Sequence, residues 1–182
     1  MIQLEQRLAE RYPHWFEGPK AALASTIARS IAKFGKLDDI NAWLAANAHR
    51  SGFDFVEGVL DHLGTRYTVD QVERGRIPQT GRVIIVANHP LGALDSLALL
   101  HLVGTVRRDV RILANDLLLE FEGLRELLLP LRILGGKPSA ESLKAVTAAL
   151  EAEQAVIVFP AGEVARFGWR GVQDSRWRAG FV

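Results

Sequence analysis

The period of the apolar positions changes near residue 65. Ahead of it, Leu23, Ile27, Ile31 and Phe34 fall on one face of a helix, with Arg29, Lys33 and Lys36 opposite. Pro19 suits the first position of that helix and Gly35 the residue just past its end. Asp38 or Asp39 is placed to cap a second helix carrying Ile40, Trp43 and Leu44. Asp54 and Glu57 form a capping-box pair for a third helix that ends at Gly64. Residues 1–64 therefore read as an N-terminal helical segment.

From Thr65 onward, short β-branched runs appear at 66–72, 83–87, 110–113 and 155–159, with a weaker one at 131–134. Helical patterns separate them at 95–103, 116–128 and 139–151. Strands alternating with helices of this length predict an α/β fold over 65–182, a largely parallel sheet flanked by helices. In such sheets, sites form just beyond the carboxyl ends of the strands. Two segments occupy that position: 88–96 and 160–166.

Composition narrows the chemistry. At 182 residues the chain can hold one domain with a sizeable core and a small appendage. A net charge of +1 argues against a general nucleic-acid binder, which needs a large basic excess. No cysteine is present, which excludes disulfides, thiolate metal sites and a cysteine nucleophile. The five histidines lack ligand-like spacing, so no metal site is expected. A membrane span needs roughly 20 uninterrupted apolar residues. The nearest candidate, 117–134, is broken by Glu120, Glu122, Arg125, Glu126, Pro130 and Arg132. Any membrane encounter is expected at the surface.

The segment V-I-I-V-A-N-H-P-L-G-A-L-D-S places His89 directly after a buried-looking strand and Asp95 at the start of a helix. Pro90 and Gly92 let the intervening turn bring the two together. The carboxylate can then hold one imidazole nitrogen, fixing the tautomer so that the other accepts a proton. Spacing alone leaves open a plain N-cap at Asp95 and an ordinary loop histidine at 89. Ser96 is a conceivable nucleophile, although a serine early in a helix is usually structural. The second segment, V-I-V-F-P-A-G-E-V-A-R, ends a hydrophobic strand at Pro160 and runs through Gly162, Glu163 and Arg166. Its amides and guanidinium suit a phosphate or an oxyanion. Taken alone, it reads as a strand-to-loop turn with a solvated salt bridge.

Together the two segments resemble the lysophospholipid (glycerolipid) acyltransferases, which pair N-H-x-x-x-x-D with a later F-P-E-G-T-R. The counterparts are Asn88 to Asp95 and Phe159 to Arg166. The resemblance spans roughly residues 40 to 182 and is strongest to the branch named hemolysins, related to the ornithine-lipid acyltransferases. The sequence departs from the pattern in three places. Five residues, not four, separate His89 from Asp95. Ala161 stands at the family glutamate, with the acid two places later as Glu163, and the arginine is displaced likewise to Arg166. Family members also continue past the segment 174–181 through a helix and a V-P-V strand, whereas this chain stops at Val182, which implies a domain incomplete at its C-terminus. An open sheet edge there leaves room for a partner chain, and so for a homo-oligomer.

The resemblance implies acyl transfer from acyl-CoA or acyl carrier protein to the hydroxyl of a lyso-lipid, with no bound cofactor. His89 would be the general base and Asp95 its orienting partner. Asn88, Gly162, Glu163 and Arg166 would contact substrate, the displaced acid and arginine pointing to a different acceptor headgroup. Long-chain substrates imply a cytoplasmic protein held peripherally on the inner membrane face. The alternating Arg166, Phe167, Trp169, Arg170, Arg176, Trp177 and Arg178 suit interfacial lipid or the CoA phosphates. The leucine-rich stretch 116–134 could wall an acyl groove, although a buried helix is the default for such a pattern. The rival reading is a non-catalytic lipid-binding protein that lyses membranes.

Overall fold

The computed structural model describes residues 37–134, 137–168, 171–173 and 176–177. The amphipathic helix expected over 19–34 lies outside them. The chain divides into two compact units, 1–48 and 49–182. In the first, α1 (Leu37–Ala46) has Asp38 and Asp39 inside its opening turn rather than ahead of it. Both the backbone and side-chain amides of Asn47 donate to Trp43 O at 2.9 Å and close the helix.

The second unit opens with α2 (Gly52–His62) and the short α3 (Gln71–Gly75), followed by β1 (Val83–Val86), α4 (Ala93–Gly104) and β2 (Val110–Asn115). Two 3-10 turns, Asp116–Glu120 and Glu122–Leu127, lead into β3 (Leu128–Leu131). A small ladder of β4 (Ile133–Leu134) and β5 (Lys137–Pro138) precedes α5 (Ala140–Glu151) and β6 (Ala155–Val158). The hairpin β7 (Arg166–Gly168) and β8 (Gly171–Gln173) follows. The principal sheet has the order β1-β6-β2-β3 and is parallel throughout.

Its two faces bury two apolar layers. On one side Ile112, Leu128, Ala155 and Ile157 pack with Val56 and Leu60 of α2, Leu100 and Val103 of α4, and Leu127. On the other, Leu113, Val156 and Val158 pack against Ala149, Val146 and Leu150 of α5. β6 lies between two strands and under helices on both faces, so all four of its residues are buried. That is why it reads as an unbroken apolar run instead of an alternating one. Parallel pairing of Val86 with Val158 brings the carboxyl ends of β1 and β6 side by side.

The amino ends of the same strands are tied by the buried Arg107. Its guanidinium grips Asp109 through two hydrogen bonds of 2.7 Å and donates to Gly81 O at 2.7 Å and Glu153 O at 2.8 Å. Those carbonyls belong to the segments entering β1 and β6. The Arg107 hydrogen bond holds the Asp109 carboxyl below its ordinary value, and the same bond raises Arg107 further.

Three local expectations are corrected. The run 66–72 is not a strand: the Asp70 carboxylate accepts from Val72 N at 2.7 Å and caps α3. Its Tyr-Thr-Val content mimics a strand, but a local cap satisfies the backbone instead. The helix expected over 116–128 is two 3-10 turns running into a strand. Phe121 is extended between the turns (φ −84°, ψ 91°), and the Phe55 ring lies so close to Gly123 that a Cβ there would overlap it. The α2 cap is Ser51 without a side-chain bond, while Asp54 Oδ1 accepts from Arg50 at 3.1 Å. As expected, α2 closes at Gly64, which has φ 61°.

Candidate active site

His89 stands three residues beyond β1, after Ala87 N has donated to Val158 O at 3.2 Å and carried the ladder one step past the strand. The chain then turns sharply. Gly92 takes φ 70° and ψ −123°, a conformation that side chains resist, and begins α4. Asp95 sits in the first turn of α4, where the helix dipole favours a carboxylate.

The two side chains meet. His89 Nδ1 lies 2.7 Å from Asp95 Oδ1, and Asp95 Oδ2 accepts from Leu91 N at 2.6 Å. Each side chain retains only 18% of its exposure, so the contact is largely shielded from solvent. Both carboxylate oxygens accept hydrogen bonds and hold Asp95 in place, and a neutral imidazole donating through Nδ1 would carry its lone pair on Nε2. Among the described residues, nothing bonds to Nε2. Ser96 bonds within the turn: its backbone N and Oγ both donate to Gly92 O, at 3.3 and 3.1 Å. Its hydroxyl fastens the turn.

The segment after β6 forms the opposite wall. Phe159 stacks on the His89 imidazole, with centroids 4.3 Å apart and planes inclined by 27°. Pro160 and Ala161 are buried. Gly162 N then closes a turn on Phe159 O at 2.9 Å, so this amide serves the loop itself. Ala165 N donates to His89 O at 2.8 Å, and Val164 packs against Gly92. The post-β6 loop thus holds His89 by its ring face and by its backbone.

Glu163 and Arg166 pair at 3.2 Å, with the guanidinium 78% exposed and the carboxylate 24%. Glu163 lies on the loop that touches His89, and Arg166 opens β7 at its end. Asn88 is exposed immediately before the histidine. The fold therefore brings His89 and Asp95 into direct contact and sets Gly162 and Glu163 on the neighbouring loop, with Arg166 at the start of β7. Sequence reasoning missed three contributions: the Phe159 ring, the Leu91 amide and the Ala165 amide. Phe159 was visible within the F-P motif, but nothing in the sequence distinguishes a core phenylalanine from one lying over an imidazole.

The two segments that carry the resemblance thus meet at the carboxyl edge of the parallel sheet. The family described as Acyltransferase matches residues 9–182, and the chain belongs to it. It is similar to the lyso-glycine lipid O-acyltransferase of Phocaeicola vulgatus, at 32% identity over 146 residues, covering 80% of this chain and 51% of that protein. A protein of the same name from Bacteroides thetaiotaomicron is 32% identical over 153 residues, covering 84% of this chain and 55% of its own length. The chain thus spans about half the length of these curated relatives. No solved structure matches it.

Proposed function

We propose that this chain transfers a fatty acyl group from a thioester to the hydroxyl of a lyso-lipid, with His89 as general base. The observation that carries the reading is the His89 Nδ1 to Asp95 Oδ1 contact of 2.7 Å at the carboxyl edge of the sheet. In this scheme Nε2 takes the proton of the acceptor hydroxyl as its oxygen attacks the thioester carbonyl. The tetrahedral intermediate collapses, the carbon–sulfur bond breaks, and the imidazolium returns the proton to the departing thiolate. Products are an ester and a free thiol. Asp95 orients the ring and stabilises its charged form; a base so positioned contributes about 10²–10⁴-fold.

The relatives' acceptor, a lyso-glycine lipid, supports an acceptor hydroxyl on a lipid with an anionic headgroup. Arg166 is the group that would read that charge, with Glu163 holding the guanidinium in place. Acyl-CoA and acyl carrier protein both remain donors in this reading. In this reading the protein meets its lipid substrates peripherally, at the cytoplasmic face of a membrane. No helix among the described residues is long and apolar enough to cross one. The test presents palmitoyl-CoA and palmitoyl carrier protein in parallel to the chain, with lyso-glycine lipid and lysophosphatidic acid as acceptors. Acceptor-dependent release of thiol from either donor supports the reading. Vesicle leakage without ester formation would favour a lytic protein instead.

A further inference from the structure

The ring of Phe159 is placed for more than packing. We propose that Phe159 is a positioning residue for the transfer, one whose aromatic face holds the His89 imidazole and stabilises it once protonated. This rests on the reading of His89 as general base. Asp95 restrains the imidazole only at one edge, through Nδ1. A ring held at one edge can still swing about its bond to Cβ, and Nε2, at the far side, would move most. Phe159 closes that freedom by covering one face at 4.3 Å, with the planes 27° from parallel.

The platform is itself anchored. Phe159 follows β6 directly and packs against the apolar layer of the sheet that α2 and α4 cover. Gly162 N bonds back to its carbonyl, and Ala165 N reaches the His89 carbonyl. The imidazole and the ring that covers it are thus held in a fixed pairing.

The pairing changes strength during the reaction. An aromatic face is electron-rich, so it attracts a cation above it more than a neutral ring. When Nε2 takes the acceptor proton, positive charge develops directly over Phe159. The contact is then stronger in the transition state than in the resting site, and such a difference raises kcat without altering substrate affinity. An aliphatic side chain of similar bulk fills the same space but offers no electron-rich face.

The experiment compares Phe159→Leu, Phe159→Tyr and Phe159→Trp in the whole chain, using palmitoyl thioester and lyso-glycine lipid. Phe159→Leu is expected to lower kcat about tenfold while both Michaelis constants stay within about twofold. Phe159→Tyr is expected to retain most of the turnover, and Phe159→Trp to retain or exceed it. A second readout needs no turnover: the ring protons of His89, assigned against His89→Ala in histidine-labelled protein, should be displaced by the ring current of Phe159. That displacement should vanish in Phe159→Leu and persist in Phe159→Tyr. Unchanged His89 ring signals in Phe159→Leu would overturn the stack. A kcat for Phe159→Tyr as low as that of Phe159→Leu, with the stack intact, would overturn its role in transfer. Failure of every donor to react, with the displacement present, would refute the acyl-transfer reading and with it the role assigned to Phe159.

Discussion

Replacing Asp95 with asparagine tests how the carboxylate acts on His89. In the native site Oδ1 accepts from Nδ1–H of the imidazole and Oδ2 accepts from Leu91 N, at 2.7 and 2.6 Å. An asparagine has one acceptor oxygen and one NH2 donor. Its oxygen can serve Leu91 N, which then turns the NH2 toward Nδ1. Facing a donor, Nδ1 must carry the lone pair, and the proton moves to Nε2, where it blocks proton uptake. The same inversion of tautomer in serine proteases lowers kcat about 10⁴-fold. Here the expected loss is about 10²–10⁴-fold in kcat, with the acceptor Michaelis constant little changed. The fold should survive, because removing one carboxylate from the first turn of α4 costs about 0.3–1 kcal/mol. Thermal unfolding of the variant, followed by circular dichroism beside steady-state thiol release, separates the two effects. Turnover within threefold of the parent, in a folded variant, would refute the tautomer argument.

Gly92→Ala should lose about 1–3 kcal/mol of stability by denaturant titration and also lose activity, since φ is 70° and a Cβ would come within 3.3 Å of Val164. Arg107→Ala should cost about 1–3 kcal/mol, because it leaves the Gly81 and Glu153 carbonyls without their donor while Asp109 remains partly solvated; two-state unfolding measures it. Asp109 titrates below its unfolded value of about 3.9, so its contribution is complete above that pH and is lost as pH falls through the lower folded value. Asp109→Asn should therefore flatten the acid limb of the stability curve below about pH 4, read from unfolding at a series of pH values. Arg166→Lys should raise the Michaelis constant for anionic acceptors and leave that of the donor unchanged. Equal effects on charged and uncharged acceptors would make Arg166 structural.

Strand β6 was legible because a strand covered on both faces reads as a continuous apolar run, whereas β1 carries the same V-I-I-V signal at the sheet edge with Ile84 and Val86 exposed. The His89–Asp95 pair was legible as a motif but not as a contact. Its closure depends on the left-handed conformation of Gly92 and on the Leu91 amide, and sequence shows neither. The leucine-rich stretch 116–128 carries a helical period, yet Gly123 sits against Phe55, and the chain tightens into 3-10 turns to make that approach. Phe159 over His89 escaped notice for a further reason. It depends on the register of β1 against β6, a pairing set by the whole crossover between them.

The most direct test of the central claim is the single-turnover rate of thiol release from a palmitoyl thioester, with lyso-glycine lipid present, in the parent chain and in His89→Ala. Acceptor-dependent release is expected in the parent and a loss of at least about 10²-fold in the variant, with its fold intact and its lipid binding preserved. A folded His89→Ala chain that releases thiol and forms ester at the parent rate would contradict that claim.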